Sequence, residues 1–277
     1  MIWRCGAHAF DLASRTLVMG ILNVTPDSFS DGGRYLEPAA AIARGRELLE
    51  QGADLIDVGA ESTRPGSEPV PAAEQVRRLA PVLEGLTGAV LSVDTASAEV
   101  AADAIRRGAA LVNDVSAMRD PGMAAVVAGT GAGLVLMHMR GRPRTMQADT
   151  RYDDVVGEVE AFLRARLAAA VGAGIAADSV ALDPGVGFGK SAGQSTALLA
   201  ATGRLAAIGR PVLVGASRKS FLGRLTGEPD PDRRLEAGLA ATAIAVFEGA
   251  RIVRVHDVAA TVKAVRVAEA ARAARQA

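Results

Sequence analysis

Cysteine, lysine, histidine and aromatic residues are all scarce in this chain of 277 residues. The single cysteine, Cys5, excludes an internal disulfide and is typical of a protein from a reducing compartment. Aromatic residues make up 3% of the chain and hydrophobic residues 49%, so we expect an aliphatic, alanine-rich core. The length suits one domain over residues 1–277, beginning with an irregular lead-in over residues 1–16, in which a short hairpin around Gly6 is the alternative.

An excess of charge of either sign is also missing. The formal net charge is zero at pH 7, so the sequence has no basic footprint for nucleic acid, and we expect no nucleic-acid partner. No apolar stretch approaches the ~20 residues that a membrane span requires, and no basic-then-apolar leader opens the chain. We therefore expect a cytoplasmic protein without a membrane partner.

One glycine-rich segment invites a nucleotide-binding interpretation, Asp183-Pro-Gly-Val-Gly-Phe-Gly-Lys190. Gly189, Lys190 and Ser191 resemble the end of a P-loop. That motif needs another glycine five residues before Gly189, where Pro184 stands, so the interpretation fails. The segment instead predicts an aspartate at the end of a buried strand, followed by a loop that lets a ligand approach the backbone closely.

Short apolar runs of this kind recur along the whole chain and alternate with predicted helices. The predicted strands are Leu17–Leu22, Leu55–Val58, Val90–Val93, Leu111–Val112, Leu134–Met137, Val180–Leu182, Val212–Val214 and Ile252–Val253. The predicted helices cover about 38–51, 71–86, 97–107, 121–128, 152–171, 194–202, parts of 219–248, and the C-terminal segment. Near-continuous apolar runs are expected of parallel strands buried on both faces. Eight such units predict an α/β fold of the TIM (β/α)8 barrel type, with a doubly wound open sheet as the alternative.

Polar residues follow these runs closely. They are Asn23, Thr63, Arg64, Asp94, Asn113, His138, Asp183, Ser217, Arg218, Lys219, Arg254 and His256. Each alone could be a helix cap or a turn former, but the carboxyl ends of barrel strands converge on one mouth, which is where active sites of such barrels lie.

The chemistry of this set divides into two kinds. Asp94, Asn113 and Asp183 suit a flat heterocycle with several N–H donors, such as a pteridine or purine edge. A second group suits phosphate or carboxylate anions and consists of Arg64, Ser217, Lys219, Arg254 and His256. Asn23 offers an oxygen that Mg²⁺ could share with phosphate oxygens. The spacing of His138 and His256 does not suit zinc, and no Gly-x-Ser-x-Gly elbow occurs.

Eight segments in chain order, between about residues 17 and 270, resemble the dihydropteroate synthase family. They are Asn23-Val-Thr-Pro-Asp-Ser-Phe-Ser-Asp-Gly-Gly33, Glu61-Ser-Thr-Arg-Pro-Gly66, Ser92-Val-Asp-Thr95, Asn113-Asp-Val-Ser116, Met137-His-Met139, Asp183-Pro-Gly-Val-Gly-Phe-Gly-Lys190, Gly215-Ala-Ser-Arg-Lys-Ser-Phe221 and Arg254-Val-His-Asp257. The resemblance implies condensation of 6-hydroxymethyl-7,8-dihydropterin diphosphate with 4-aminobenzoate to 7,8-dihydropteroate and diphosphate, with Mg²⁺ as the cofactor. It also implies a homodimer and competition by sulfonamides.

The resemblance also assigns roles to single residues. The residues implied to bind the pterin and its diphosphate are Thr63, Asp94, Asn113, Met137, Asp183, Gly215, Lys219, Arg254 and His256. Among these, the catalytic set is Asp94, Asp183, Lys219, Arg254 and His256. The aminobenzoate side is implied to consist of Phe29, Thr63, Arg64, Pro65, Phe188, Ser217 and Arg218. Asn23 is the implied ligand of Mg²⁺.

Two departures and two rival functions accompany this assignment. Where the family usually has threonine and asparagine, Ser191 and Ser195 stand, and we expect them to affect helix capping. Glu236-Ala-Gly238 replaces a more usual Gly-Ser-type pairing on a helix face. A corrinoid-type pterin methyltransferase domain would share the pterin pocket but has no diphosphate to bind. A catalytically silent pterin-binding paralogue would bind without releasing diphosphate.

Overall fold

The computed structural model describes residues 1–25, 38–62 and 67–276. Numbered in chain order, the strands are β1 Ile2–Cys5, β2 His8–Asp11, β3 Leu17–Asn23, β4 Leu55–Gly59, β5 Leu91–Asp94, β6 Ala109–Asp114, β7 Gly133–Met137, β8 Val180–Asp183, β9 Leu213–Val214 and β10 Ile252–Val255. The helices are α1 Pro38–Glu50, α2 Ala72–Gly85, α3 Ala98–Arg106, α4 Met123–Thr130, α5 Val155–Gly172, α6 Ala192–Ala200, α7 Thr202–Ala206, α8 Ser220–Thr226, α9 Leu235–Phe247 and α10 Val258–Gln276.

Strands β3 to β10 form a barrel of parallel strands. Each strand from β3 to β7 pairs with the next along the chain, and β10 lies between β9 and β3. The remaining seam, between β8 and β9, is joined by a bridge between Leu182 and Val212 and by the Leu182 N–H, which donates to the Pro211 oxygen at 2.9 Å. The predicted (β/α)8 barrel is confirmed, and the open doubly wound sheet was wrong because both outer strands meet across this seam.

Alternation along each strand separates an inner from an outer core. On β4, Ile56 and Val58 pack outward in the large cluster beneath the helices, whereas Leu55 packs inward. The inward cluster fills the amino-terminal half of the barrel with aliphatic side chains from every barrel strand except β5. Its members are Leu17, Met19, Leu55, Ala110, Leu111, Val135, Ala181, Leu213 and Ile252, together with Trp3, Cys5 and Leu12. The strands are buried on both faces, as expected of parallel strands covered by helices.

The first residues form a plug beneath this inner cluster. Strands β1 and β2 pair antiparallel as a hairpin that turns at Gly6, whose φ is +57°. Trp3 is 0% exposed, and its indole Nε1 donates to the Ser179 oxygen at 3.0 Å. The expected irregular lead-in was therefore wrong for residues 2–11, and the hairpin alternative is confirmed. Alternating exposure along β1, with Ile2 and Arg4 outward and Trp3 and Cys5 inward, is what allows this short hairpin to cover the barrel floor.

Helix boundaries differ from the sequence-based expectation where side chains or left-handed residues fix them. Helix α5 begins at Val155 rather than near Tyr152, because Asp154 caps it by accepting from the Gly157 N–H at 3.0 Å. Helix α8 ends at Gly227, which has a φ of +76°. The other boundaries agree to within a few residues, so the loops that follow the strands lie where the sequence places them.

Among the residues described, no helix combines the length and the apolar character needed to cross a membrane.

Replacing Trp3 by alanine is expected to lower the free energy of unfolding by about 3–5 kcal/mol, because the substitution removes a fully buried indole from the barrel floor. Urea denaturation measures the change. The control is Ile2→Ala on the same strand, where the side chain is 42% exposed and the loss should stay below about 1 kcal/mol. Equal losses in the two variants would contradict the role of the hairpin as a plug.

Candidate functional site

An arginine inside the barrel connects side chains from four strands. Arg254 on β10 donates through Nε to Asp57 Oδ2 on β4 at 2.5 Å, and through Nη2 to Asp94 Oδ2 on β5 at 2.7 Å. Asn113 on β6 donates through Nδ2 to the same Asp57 oxygen at 2.9 Å. All four residues point inward because they occupy the same alternate positions as the aliphatic residues below them. They form a charged layer above the apolar one.

Burial controls the electrostatics of this layer. Burial raises the pKa of Asp94 to about 7, against the opposing attraction of Arg254. Burial also works against the charge on Arg254, but the carboxylates of Asp57 and Asp94 prevail and raise its pKa. Asp57 Oδ1 and Ser92 Oγ are buried without a hydrogen-bond partner among the residues described. The charged layer therefore contains two buried oxygen atoms that could each accept a hydrogen bond, close to the Arg254 guanidinium.

A second carboxylate, Asp183, ends β8 and is 5% exposed. Its Oδ1 accepts the Gly185 N–H at 2.7 Å. Burial raises the pKa of Asp183, and Lys219 opposes that rise. Lys219 donates through Nζ to the Val186 oxygen at 2.7 Å and lies 4.2 Å from the centre of the Phe188 ring. Burial lowers the pKa of Lys219 to about 8.

The loop between Asp183 and α6 depends on its glycines. Gly185, Gly187 and Gly189 all have positive φ, at +63°, +82° and +60°. A Cβ on Gly185 would lie 2.0 Å from the His138 oxygen, so no other residue fits there. Ser195 Oγ accepts the Gly187 N–H at 3.1 Å, and Ser191 caps α6 in a reciprocal box with Gln194. The expectation that Ser191 affects capping is confirmed, and Ser195 additionally holds the glycine loop.

After β9, the side chains of Ser217 and Arg218 make different kinds of contact. Ser217 Oγ lies 3.1 Å from His256 Nδ1 and accepts the His256 N–H at 3.3 Å. Arg218 has a φ of +60°, and its guanidinium binds Asp257 at 2.7 Å and Asp232 at 2.6 Å. Arg218 is thus committed to two acidic residues, whereas Ser217 and His256 form a polar pair beside Arg254.

The other predicted residues lie around this set. Met137 ends β7 and packs with Val115, Met139 and Met146 in a small buried cluster against Phe188. Gly215 lies beside Arg254, since a Cβ there would be 3.6 Å from the Arg254 Cβ. Four predicted residues, Phe29, Thr63, Arg64 and Pro65, lie outside the described residues.

Asn23 ends β3 opposite Gly59 and is half-buried. No group of three or more histidine, cysteine or acidic residues able to hold a metal occurs in the ranges described. A single amide oxygen at the mouth nevertheless fits Mg²⁺, which proteins often hold through one or two ligands together with substrate phosphates and water.

Sequence reasoning missed Asp57, which binds both Arg254 and Asn113. The available signal was a lone carboxylate inside the apolar run Leu55-Ile-Asp-Val58, which requires a buried partner. The prediction considered only residues after the strand ends. Asp57 instead lies within β4, two residues before the end of that strand at Gly59.

His138 follows β7 but is directed into the protein rather than towards the open mouth. The side chain is 7% exposed, and its ring packs edge-on against Phe162 with centroids 4.8 Å apart. Its Nδ1 lies 2.9 Å from Lys190 Nζ. Burial, followed by the charge of Lys190, lowers the pKa of His138 to about 3, so the imidazole is neutral and accepts from the ammonium.

Known proteins share both the sequence and this architecture. A profile of the family described as pterin binding enzymes matches residues 19–256. Dihydropteroate synthase from Synechocystis sp. is 44% identical over 269 residues, covering 96% of this chain and 93% of the relative. The solved structure of Xanthomonas albilineans dihydropteroate synthase with 4-aminobenzoic acid is 48% identical, with a TM-score of 0.92 over 98% of both chains. The same enzyme in complex with 7,8-dihydropteroate is 45% identical, with a TM-score of 0.88 over 99% of both chains.

Lowering the pH from 6.5 to 5 is expected to destabilise the wild-type protein by about 1.5 kcal/mol more than the His138→Asn variant. The folded-state pKa of about 3 lies below the ordinary 6.5, so between these values the unfolded chain binds a proton that the folded chain does not. Stability is therefore lost as the pH falls. Asparagine keeps an acceptor for Lys190 but does not titrate.

The measurement is urea denaturation at several pH values. The control is His8→Asn, which removes an exposed histidine of the hairpin and should leave the pH dependence as in the wild type. Parallel curves for the wild type and the His138 variant would contradict a neutral, buried imidazole.

Proposed function

The chain belongs to the dihydropteroate synthase family, a family of transferases, and we propose that it joins 6-hydroxymethyl-7,8-dihydropterin diphosphate to 4-aminobenzoate. The products are 7,8-dihydropteroate and diphosphate. The observation that carries the proposal is the arrangement of buried carboxylates and cations at the carboxyl end of the barrel. Relatives with the same fold bind 4-aminobenzoic acid and 7,8-dihydropteroate, one substrate and one product of this reaction.

The pterin ring is proposed to lie between Asp94, Asn113 and Asp183. A pterin edge presents several N–H donors together with ring nitrogen and carbonyl acceptors. Carboxylates that are largely shielded from water bind such donors more strongly than exposed ones, because the local dielectric constant is low. Lys219 supplies the complementary donor, and Met137 and Gly215 line the walls.

The diphosphate is proposed to lie beside Arg254 and His256. Within the described chain Arg254 uses Nε and Nη2 for its carboxylates, which leaves Nη1 for an anion or for stacking on the ring. The His256 imidazole, two residues further along the chain, is held by Ser217, whose Oγ lies 3.1 Å from Nδ1. Asn23 would hold Mg²⁺, which when bound would neutralise part of the leaving-group charge.

The proposed reaction breaks the bond between the pterin methylene carbon and the diphosphate oxygen, and the bonding pair leaves with diphosphate. Positive charge then spreads into the ring, where the carboxylates of Asp94 and Asp183 stabilise it. The neutral amine of 4-aminobenzoate forms the new C–N bond and then loses a proton. No strong base is required, since the aromatic amine attacks in its neutral form.

The aminobenzoate is proposed to lie on the side of Phe188 and Ser217, with Phe29, Thr63, Arg64 and Pro65 contributing from beyond the described residues. Arg218 is the weakest member of this predicted group, because Asp257 and Asp232 already bind its guanidinium. We propose that Arg218 acts mainly by fixing the backbone on which Ser217 and Lys219 stand. Sulfonamides, which resemble 4-aminobenzoate, would compete at this site.

The decisive assay is diphosphate release with the pterin diphosphate, 4-aminobenzoate and Mg²⁺, each omitted in turn. Release that requires all three, with 7,8-dihydropteroate detected by chromatography, is the expected result. Pterin binding by calorimetry without release would instead indicate a silent paralogue or a methyltransferase-type pterin domain.

Replacing Asp183 by asparagine is expected to lower turnover by about two orders of magnitude or more while the fold survives, because one carboxylate facing the ring cation is lost. Steady-state kinetics and thermal unfolding measure both effects. The matched control is Asp153→Asn, which neutralises an exposed aspartate and should leave turnover unchanged. Near-normal turnover in the Asp183 variant would refute the assigned role.

A further inference from the structure

Lys190 is almost completely buried next to the proposed pterin site, and its function is not part of the mechanism above. The residue is 2% exposed, and Nζ lies within hydrogen-bond distance of four acceptors. Three are main-chain oxygens, those of Gly185 at 3.0 Å, Phe188 at 2.9 Å and His138 at 3.3 Å. The fourth is His138 Nδ1 at 2.9 Å. An ammonium group with three N–H donors matches such a set, whereas a solvated surface lysine would not collect it.

Two of these four acceptors belong to the glycine loop 185–189, which both Lys190 and Lys219 contact. Lys190 binds the oxygens of Gly185 and Phe188, and Lys219 binds the oxygen of Val186. With positive φ at three alternate glycines, this backbone has few side chains of its own to fix its path. The two ammonium groups therefore help to fix the loop, together with Ser195, which accepts the Gly187 N–H, and with Gln147 and Tyr152, which donate to the Gly187 and Gly189 oxygens.

The position of this loop matters for the reacting groups. Its Gly185 N–H binds Asp183 Oδ1, and its Val186 oxygen and Phe188 ring locate the Lys219 ammonium. A shift of the loop would move the carboxylate and the lysine together. Displacements of about 1 Å in such groups can cost about 100-fold in rate.

We propose that Lys190 is a positioning residue for the transferase reaction: its buried ammonium holds the loop 185–189 and thereby places Asp183 and Lys219 against the pterin. This inference rests on the proposed function. Lys190 does not contact the mouth through its own ammonium, since its four partners surround it.

Charge is the second effect of Lys190 on the site. The cations that stabilise the ionised form of Asp183 are Lys219, Lys190 and Arg254, together with the Gly185 N–H. Lys190 in turn faces Asp183, Lys219, Arg140 and the neutral His138. Removing its charge should make Asp183 harder to ionise, which would shift the acidic limb of the pH–rate profile towards higher pH. A lysine that served only to fill space would not have this effect.

The experiment compares Lys190→Met, which keeps the length of the side chain but removes the charge, with Lys190→Arg, which keeps the charge. The chain offers a matched control in Lys263→Met, because Lys263 is the remaining lysine and is exposed on α10. The readouts are thermal unfolding, kcat and KM for both substrates, and kcat/KM for the pterin substrate between pH 5 and 9. The wild type is measured first with all three reaction components.

For Lys190→Met we expect a folded protein whose kcat/KM for the pterin substrate falls about 100-fold. Its acidic limb should move towards higher pH. For Lys190→Arg we expect the acidic limb of the pH–rate profile at the wild-type pH, even if the larger guanidinium lowers kcat. Lys263→Met should match the wild type in every readout.

Two results would overturn the inference. One is a folded Lys190→Met variant with wild-type kinetics and an unmoved limb. The other is that neither Lys190 variant folds, which would assign the residue to folding alone. An inactive wild type would instead refute the proposed function, so the two failures are distinguishable.

Discussion

The site depends on one constraint: charge buried inside a barrel must be neutralised by other buried groups. Arg254 satisfies it by binding Asp57 and Asp94 from two further strands. Leaving one member of such a set without its partner would cost about 3–5 kcal/mol, so the residues can exist at these positions only together. Asn113 completes the arrangement by binding the shared Asp57 oxygen. The barrel interior is consequently stratified, with an apolar floor and a charged layer above it.

A similar balance organises the opposite wall. The charges of Lys219 and Lys190 favour the ionised form of Asp183, and the same two ammonium groups bind main-chain oxygens of the glycine loop. Two of the three lysines in the chain are used in this way, although lysine is otherwise replaced by arginine throughout the sequence. An ammonium is a compact donor that fits between several carbonyl oxygens, whereas a planar guanidinium is suited to paired carboxylates. In the site, Arg254 thus lies among carboxylates, whereas Lys190 and Lys219 bind carbonyl oxygens.

The sequence was sufficient to predict the barrel, because eight apolar runs at regular spacing determine both the strands and the end at which polar residues gather. It also placed Asp94, Asn113 and Asp183 at the carboxyl ends of their strands, where the structure has them. It was insufficient for Asp57, whose partners Arg254 and Asn113 are 197 and 56 residues away. The contacts of Arg218 could not be predicted for a related reason: its left-handed backbone and its bonds to Asp232 and Asp257 are set by tertiary neighbours. The periodicity of a sequence predicts which face of a strand or helix a side chain occupies. It does not predict which charged residue, distant in the sequence, that side chain contacts.

The plug at the floor of the barrel also constrains the order in which the chain can assemble during synthesis. The hairpin is made before the barrel strands, yet its docking partners include the Gly131 oxygen, bound by the Gly6 N–H, and the Ser179 oxygen, bound by the Trp3 indole. At about 5–20 residues per second, the ribosome delivers Ser179 roughly 10–35 s after the hairpin. Throughout that interval the large apolar surface of Trp3 has no final binding place. The hairpin, although synthesised before the barrel strands, is therefore among the last segments to reach its native contacts.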